Sequence, residues 1–174
     1  MSTIALIALG SAAVVVLFVI SLYNRLVMLA RRCDQSFADV DVQLKQRHDL
    51  IPNLVETVKA YATHERGTLE AVMRARQAAQ SAATPGAQMQ AEAALGSAIG
   101  RLFAVAENYP DLKASQNFAV LQEELSDLEN KIAAARRFLN GAVAEHNATM
   151  AQFPANIVAG AFSMTEKASF DLGV

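Results

Sequence analysis

Histidine, cysteine and closely spaced carboxylates are the residue types that most readily support acid–base, metal or nucleophilic chemistry. This chain of 174 residues has three histidines, His48, His64 and His146, and one cysteine, Cys33. A di-iron carboxylate bundle needs Glu-x-x-His on two helices. The residues three before each histidine are Lys45, Tyr61 and Val143, so that pattern is missing. His64-Glu65 begins like a zincin helix, but Thr68 and Leu69 stand where the second histidine would fall. No G-x-S-x-G, Walker loop or Cys–His ligand cluster occurs. The sequence therefore points to no catalytic residue, no cofactor and no metal, and the chain reads as a non-enzyme. A single cysteine allows no disulfide within one chain. Cys33 falls on an apolar helical seam, which favours a buried role over lipidation or redox chemistry.

The remaining chemistry-bearing side chains lie near seams and helix breaks: Asn24, Arg47, Asp49, Asn53, Glu56, Glu107, Asn130, Arg136, Asn140 and Asn147. Tyr23, Pro52, Tyr109 and Pro110 accompany them at the same places. Groups of this kind cap helix ends, fix bundle register and pair arginine with carboxylate. A ligand or partner groove is the functional alternative, centred on Arg47 and Asp49.

The elements that must position them are helical. Formal charge is −2, with 53% apolar and 18% charged residues, sparse Gly and Pro, and no Trp. That balance argues against nucleic acid as a partner, because binding phosphates needs a basic surplus. Ile4 to Leu22 is nineteen residues without a charge, roughly 28 Å as a helix and enough to cross a bilayer. It lacks a basic n-region and an A-x-A cleavage site, so it reads as an uncleaved single span and not a signal peptide. Ala5, Ala8 and Ala12 form a weak small-residue stripe on it. Arg25, Arg31 and Arg32 follow the span while no basic residue precedes it, which predicts the N-terminus outside and the domain in the cytoplasm. Tyr23 sits where an interfacial aromatic belongs.

From there Leu26, Ala30, Cys33, Phe37, Val40 and Leu44 alternate in steps of four and three without Gly or Pro. Span and first bundle helix thus form one rod of roughly 65 Å. In Arg47-His48-Asp49-Leu50-Ile51-Pro52-Asn53-Leu54, Pro52 lacks an N–H and Asp49 could cap a new helix. The spacing predicts a helix–turn–helix corner here, in preference to a kink in one continuous helix. A second helix is predicted from Pro52 to Ala82 and a third from Ala87 to Asn108, separated by Ala83-Thr84-Pro85-Gly86. Gly96 and Gly100 give the third helix a small face. Tyr109-Pro110 makes the next break, and Ser115 is a candidate N-cap for the fourth helix. Leu121, Leu125, Leu128, Ile132, Ala135, Leu139, Ala142 and His146 then keep strict heptad spacing, and the helix is expected to end before Pro154. Residues 155–174 form a mildly amphipathic tail that could dock on the bundle, meet lipid or a second subunit, or stay mobile.

Several of these strings together resemble the bacterial LemA family. They are Tyr23-Asn24-x-Leu26-Val27, Asp49-Leu50-Ile51-Pro52-Asn53-Leu54-Val55, Glu107-x-Tyr109-Pro110, Asn117-Phe118, Glu129-Asn130 with Arg136, and Asn140 with Asn147 leading to Phe153-Pro154. The likeness runs from the span to about Ile157. It implies a membrane-anchored bundle of four antiparallel helices with no known enzymatic activity. It also implies cell-envelope roles, including membrane stress and, in relatives that serve magnetosomes, membrane remodelling. Members often end in a Gly-Phe pair with basic residues, whereas Ala161-Phe162-Ser163-Met164 here leads to a near-neutral end.

The expectation is an all-α protein: an N-terminal transmembrane helix (1–22) continuing into an antiparallel four-helix up-and-down bundle (23–154), then the tail (155–174). Its place would be the bacterial inner membrane. Its expected role is scaffolding through self-association or docking of an envelope protein, with a sensor of small ligands as the alternative. One stability ranking follows. In thermal melts, Leu54→Ala and Leu125→Ala should each cost about 2–5 kcal/mol by leaving cavities, and Pro52→Ala should cost less than either.

Overall fold

The computed structural model describes residues 2–170. Within them the chain is all-α, without a strand: α1 (Thr3–Tyr61), α2 (Arg66–Ser81), α3 (Pro85–Ala106), α4 (Pro110–Lys113), α5 (Gln116–Ala151) and α6 (Ala155–Ala161). Residues 171–174, the end of the expected tail, lie outside the described residues.

The first helix corrects the expected corner. α1 runs unbroken for 59 residues with Pro52 inside it, so the predicted second helix loses its start to α1 and begins at Arg66. The reason is visible in the seam. Steps of four and three continue past Leu44 through Arg47, Ile51, Leu54 and Val58, and all of these are buried. Breaking the helix at Pro52 would take Ile51, Leu54 and Val58 off that line. The proline still leaves a defect: it cannot donate to the carbonyl four residues back, that of His48. Arg76 on α2 repairs it, with Nε donating to the His48 carbonyl oxygen at 2.7 Å. The turn comes later, at Ala62–Glu65, where Glu65 N–H donates to the Ala62 carbonyl. Tyr109 OH donates to Glu65 Oε1 at 3.1 Å and ties that turn to the break before α4.

The other breaks fall where the sequence put them. Thr84 caps α3, its hydroxyl accepting from Ala87 N–H, and Pro85 takes the first helical position, where a missing N–H does no harm. Pro110 ends the α3 region but also opens the short α4. Ser115 immediately precedes α5.

The chain divides into two compact units, and α1 and α5 contribute to both. One comprises Asp39–Arg137 with Phe170. Four long helical segments, from α1, α2, α3 and α5, surround one core with the short α4. Ile51, Leu54, Val58, Val72, Leu95 and Leu102 are at its centre. Their short connections make sequence neighbours antiparallel.

The other unit comprises the chain up to Ala38 with Phe138–Ser169. Here Leu26 of α1 packs on Ala155, Val158 and Ala159 of α6, flanked by Leu22, Tyr23, Met150 and Met164. α6 ends in a Schellman-type turn: Ser163 takes φ 52°, and Met164 N–H donates back to the Ala159 carbonyl. Arg32 pairs with Glu145 at 3.1 Å and lies over the Phe138 ring, while Lys167 pairs with Asp34 at 2.8 Å. The N-terminal part of α1 holds an 18-residue window of mean hydropathy 2.8, none of it buried against protein. A surface of that kind is suited to lipid.

The Pro52–Arg76 relation can be tested with a double-mutant cycle in urea. Arg76→Ala should cost about 1–3 kcal/mol by leaving the His48 carbonyl unpaired. In a Pro52→Ala background that cost should fall, because an alanine at this position supplies the missing N–H.

Candidate functional site

Inside the Asp39–Arg137 unit, two adjacent residues of α1 meet one residue of α3. Arg47 and His48 are 3% and 6% exposed, and Glu92 is 1% exposed. His48 Nε2 lies 2.6 Å from Glu92 Oε1, and Arg47 Nη1 lies 3.7 Å from Glu92 Oε2. The same Arg47 nitrogen reaches Glu129 of α5 at 3.1 Å. A Cβ at position 96 would stand 3.2 Å from Arg47 Nη2, so Gly96 provides the space in which the guanidinium lies against α3. Arg136, one heptad beyond Glu129, adds a second guanidinium, stacked 5.0 Å from the Phe170 ring. Desolvation pulls the Arg136 pKa down and neighbouring Arg47 adds to the fall, against the opposing pull of Glu92 and Glu129.

This cluster fastens three helices with buried charge. Its His–carboxylate pair is closed off from solvent. Among the described residues no group of three His, Cys, Asp or Glu side chains could hold a metal ion. Cys33 is 3% exposed and burial pushes its thiol pKa up, with nearby Lys167 opposing; such a thiol is a poor nucleophile. Desolvation and the hydrogen bond to Glu65 push the Tyr109 phenol up.

The structure does not bring Arg47 and Asp49 together. Two residues apart on a helix, they point to nearly opposite sides, Arg47 into the core and Asp49 to the surface. Among the other sequence candidates, Asn147 has a clear structural role: its side-chain amide exchanges two hydrogen bonds with the Lys167 backbone, at 2.9 and 3.0 Å, holding the segment after α6. Tyr23 stacks on Phe162 with ring centroids 4.5 Å apart. Glu56 pairs with Lys59. Asn24, Asn53, Glu107 and Asn130 are exposed, Asn140 is half-buried, and Pro52 lies within α1 and Pro110 at the start of α4.

Glu92 escaped the sequence reading. The signal was available, since Glu92 extends the line Leu95, Ile99, Leu102 and Ala106 by one three-residue step. Arg47 likewise occupies a seam position between Leu44 and Ile51.

Two grooves of opposite charge flank α1 in this unit. One, of about 970 Å³ between α1 and α2, is lined by Lys59, Arg66, Arg74 and Arg76 against Glu56 and Glu70, a surplus of two positive charges. The other, of about 360 Å³ between α1 and α5, carries Asp49, Glu124 and Asp127 against Lys131, a surplus of two negative charges.

An apolar, lipid-suited helix leading into a charge-locked helical core defines the class: a membrane-associated, all-α module. The chain belongs to the LemA family, whose family model matches residues 36–173. It is also similar to Magnetosome protein MamQ of Magnetospirillum gryphiswaldense, at 22% identity over 158 residues, covering 76% of this chain and 58% of that protein. Magnetosome proteins MamQ 2 and MamQ 1 of Paramagnetospirillum magneticum are each 24% identical over 163 residues, covering 79% of this chain and 60% of theirs. The chain thus spans about three fifths of the length of these curated relatives.

Removing one member of the buried cluster should be costly. Glu92→Leu leaves Arg47 without its buried counter-charge and should lose about 3–5 kcal/mol in chemical denaturation. The Arg47→Met/Glu92→Leu double variant should recover much of that loss.

Proposed function

We propose that the protein is a non-enzymatic, single-pass membrane protein whose helical bundle docks other proteins, foremost copies of itself, in the bacterial cell envelope. The observation that carries this reading is the pair of grooves on either side of α1, matched in magnitude and opposite in sign. A positive groove on one copy complements the negative groove on the next. Such complementarity steers encounter and sets register more than it adds affinity. Asp49 and Glu56, two of the polar residues picked out by sequence, line the two grooves and would lie at the contact. The membrane span fits the same role, since anchoring confines copies to one surface and raises their effective concentration. The basic residues Arg25, Arg31 and Arg32 after the span support a cytoplasmic bundle with the N-terminus outside. The names of the magnetosome relatives suggest a role in organising a membrane compartment.

The reading is tested by sedimentation and crosslinking of the detergent-solubilised full chain. Glu124→Lys with Asp127→Lys should weaken self-association on the order of tenfold, about 1.4 kcal/mol. Mixing that variant with Arg66→Glu/Arg74→Glu protein should restore it, and raised salt should weaken the native contact. A chain that stays monomeric at every salt concentration, and crosslinks to no envelope protein in cells, overturns the reading.

A further inference from the structure

Three large apolar side chains face outward around α6: Phe153, Ile157 and Phe162 are 80%, 62% and 56% exposed. From Asn147 to Thr165 the chain has nineteen consecutive residues without a charge. Left in water, such a segment is an apolar patch without an occupant. Its position identifies one. The inner face of α6, through Ala155, Val158 and Ala159, packs on Leu26 of α1 with Leu22 and Tyr23 alongside. Leu22 is the last residue of the apolar run that begins at Ile4. Leu26 is only four residues further, about 6 Å along the helix. A bilayer of about 40–45 Å with a core of about 30 Å has an interfacial layer of about 5–8 Å on each side. α6 is therefore held at headgroup depth if the apolar run fills the core.

The chemistry of the segment fits that layer. Tyr23 and Phe162 form an aromatic pair at the level where interfacial aromatics concentrate. Exposed Asn156 and Ser163 offer polar edges, and exposed Arg25 stands on the adjoining turn of α1, where a cation meets anionic headgroups. The attachment is a defined structure: the Schellman-type turn at Ser163 returns Met164 to the same apolar cluster.

We infer that α6 is a second membrane contact, lying in the interfacial layer of the leaflet from which α1 emerges, with Phe153, Ile157 and Phe162 in lipid. This rests on α1 being in the membrane and is independent of self-association through the grooves. A lone span is free to tilt and rotate; a second contact beside its end sets its depth and its rotation about its own axis.

The chain contains no tryptophan, so a single introduced indole reports without background. Full-length Ile157→Trp and Phe138→Trp proteins are reconstituted into phosphatidylcholine–phosphatidylglycerol vesicles, with and without bromines on the upper acyl chain. Both sites are exposed, so neither change disturbs the core. Phe138 serves as the reference because it lies thirteen residues before Ala151 along α5, about 20 Å of helix. Ile157→Trp should emit blue-shifted light and be quenched by brominated lipid, and Phe138→Trp much less so. Equal, weak quenching at both sites in protein that floats with the vesicles overturns the inference while leaving the anchor intact. Emission at position 157 that ignores bromine but changes on dilution into excess lipid means a second copy covers the face, and also overturns it. Protein that fails to float overturns anchor and inference together.

Discussion

Glu92 is a carboxylate that has left water almost completely, and the arrangement of the helices around it follows from that. An isolated buried carboxylate is strongly unfavourable. It is tolerated here because α1 brings a guanidinium and an imidazole to it from two consecutive residues. Those two in turn depend on geometry: Gly96 must be small for Arg47 to lie against α3, and Glu129 must come from α5 to share the guanidinium. Apolar seams alone tolerate sliding by a heptad. Charged partners inside the core do not, since any slip separates them, so the Arg47–His48–Glu92 cluster favours one register of α1 against α3, with half-exposed Glu129 adding a tie to α5.

The second constraint is a consequence of keeping α1 whole. A proline inside a helix leaves one carbonyl without its donor, and the fold answers with an arginine from α2 instead of a break. That places α2 against α1 at a defined height. Arg76 serves twice, since its side chain also lines the positive groove. The corner then falls at Ala62–Glu65, after the last buried seam residue of α1.

Helix continuity gives these local features a functional sense. The helix that carries the lipid-suited segment is the same helix whose flanks form the two charged grooves. In the unit that contains the span, α6 is fastened to α1 at the point where the apolar run ends. Among the described residues of this LemA-family chain, the Arg47–His48–Glu92 cluster is buried and no group of three His, Cys, Asp or Glu side chains could hold a metal ion. What it offers is surfaces: an exposed apolar one around α6 and two charged grooves beside α1.

Much of this was legible in the residues themselves. Periodicity revealed the all-α class, the buried seams, the break before Pro85, the break at Tyr109-Pro110 and the long α5, because apolar spacing and breaker chemistry are local properties. The apolar run Ile4–Leu22 announced the anchor for the same reason. The sequence misled at Pro52, where a local rule about a missing N–H was read as a stop. The partner that cancels the defect, Arg76, is twenty-four residues away and is recognisable only once α2 has folded back. Glu92 was legible only in part: its place on the α3 seam shows in the spacing, but a carboxylate in an alanine-rich helix reads as solvated until Arg47 and His48 are seen opposite it. The grooves and the exposed face of α6 could not be read from the chain at all, because a groove's net charge and a side chain's exposure are properties of neighbours that only the tertiary structure assembles.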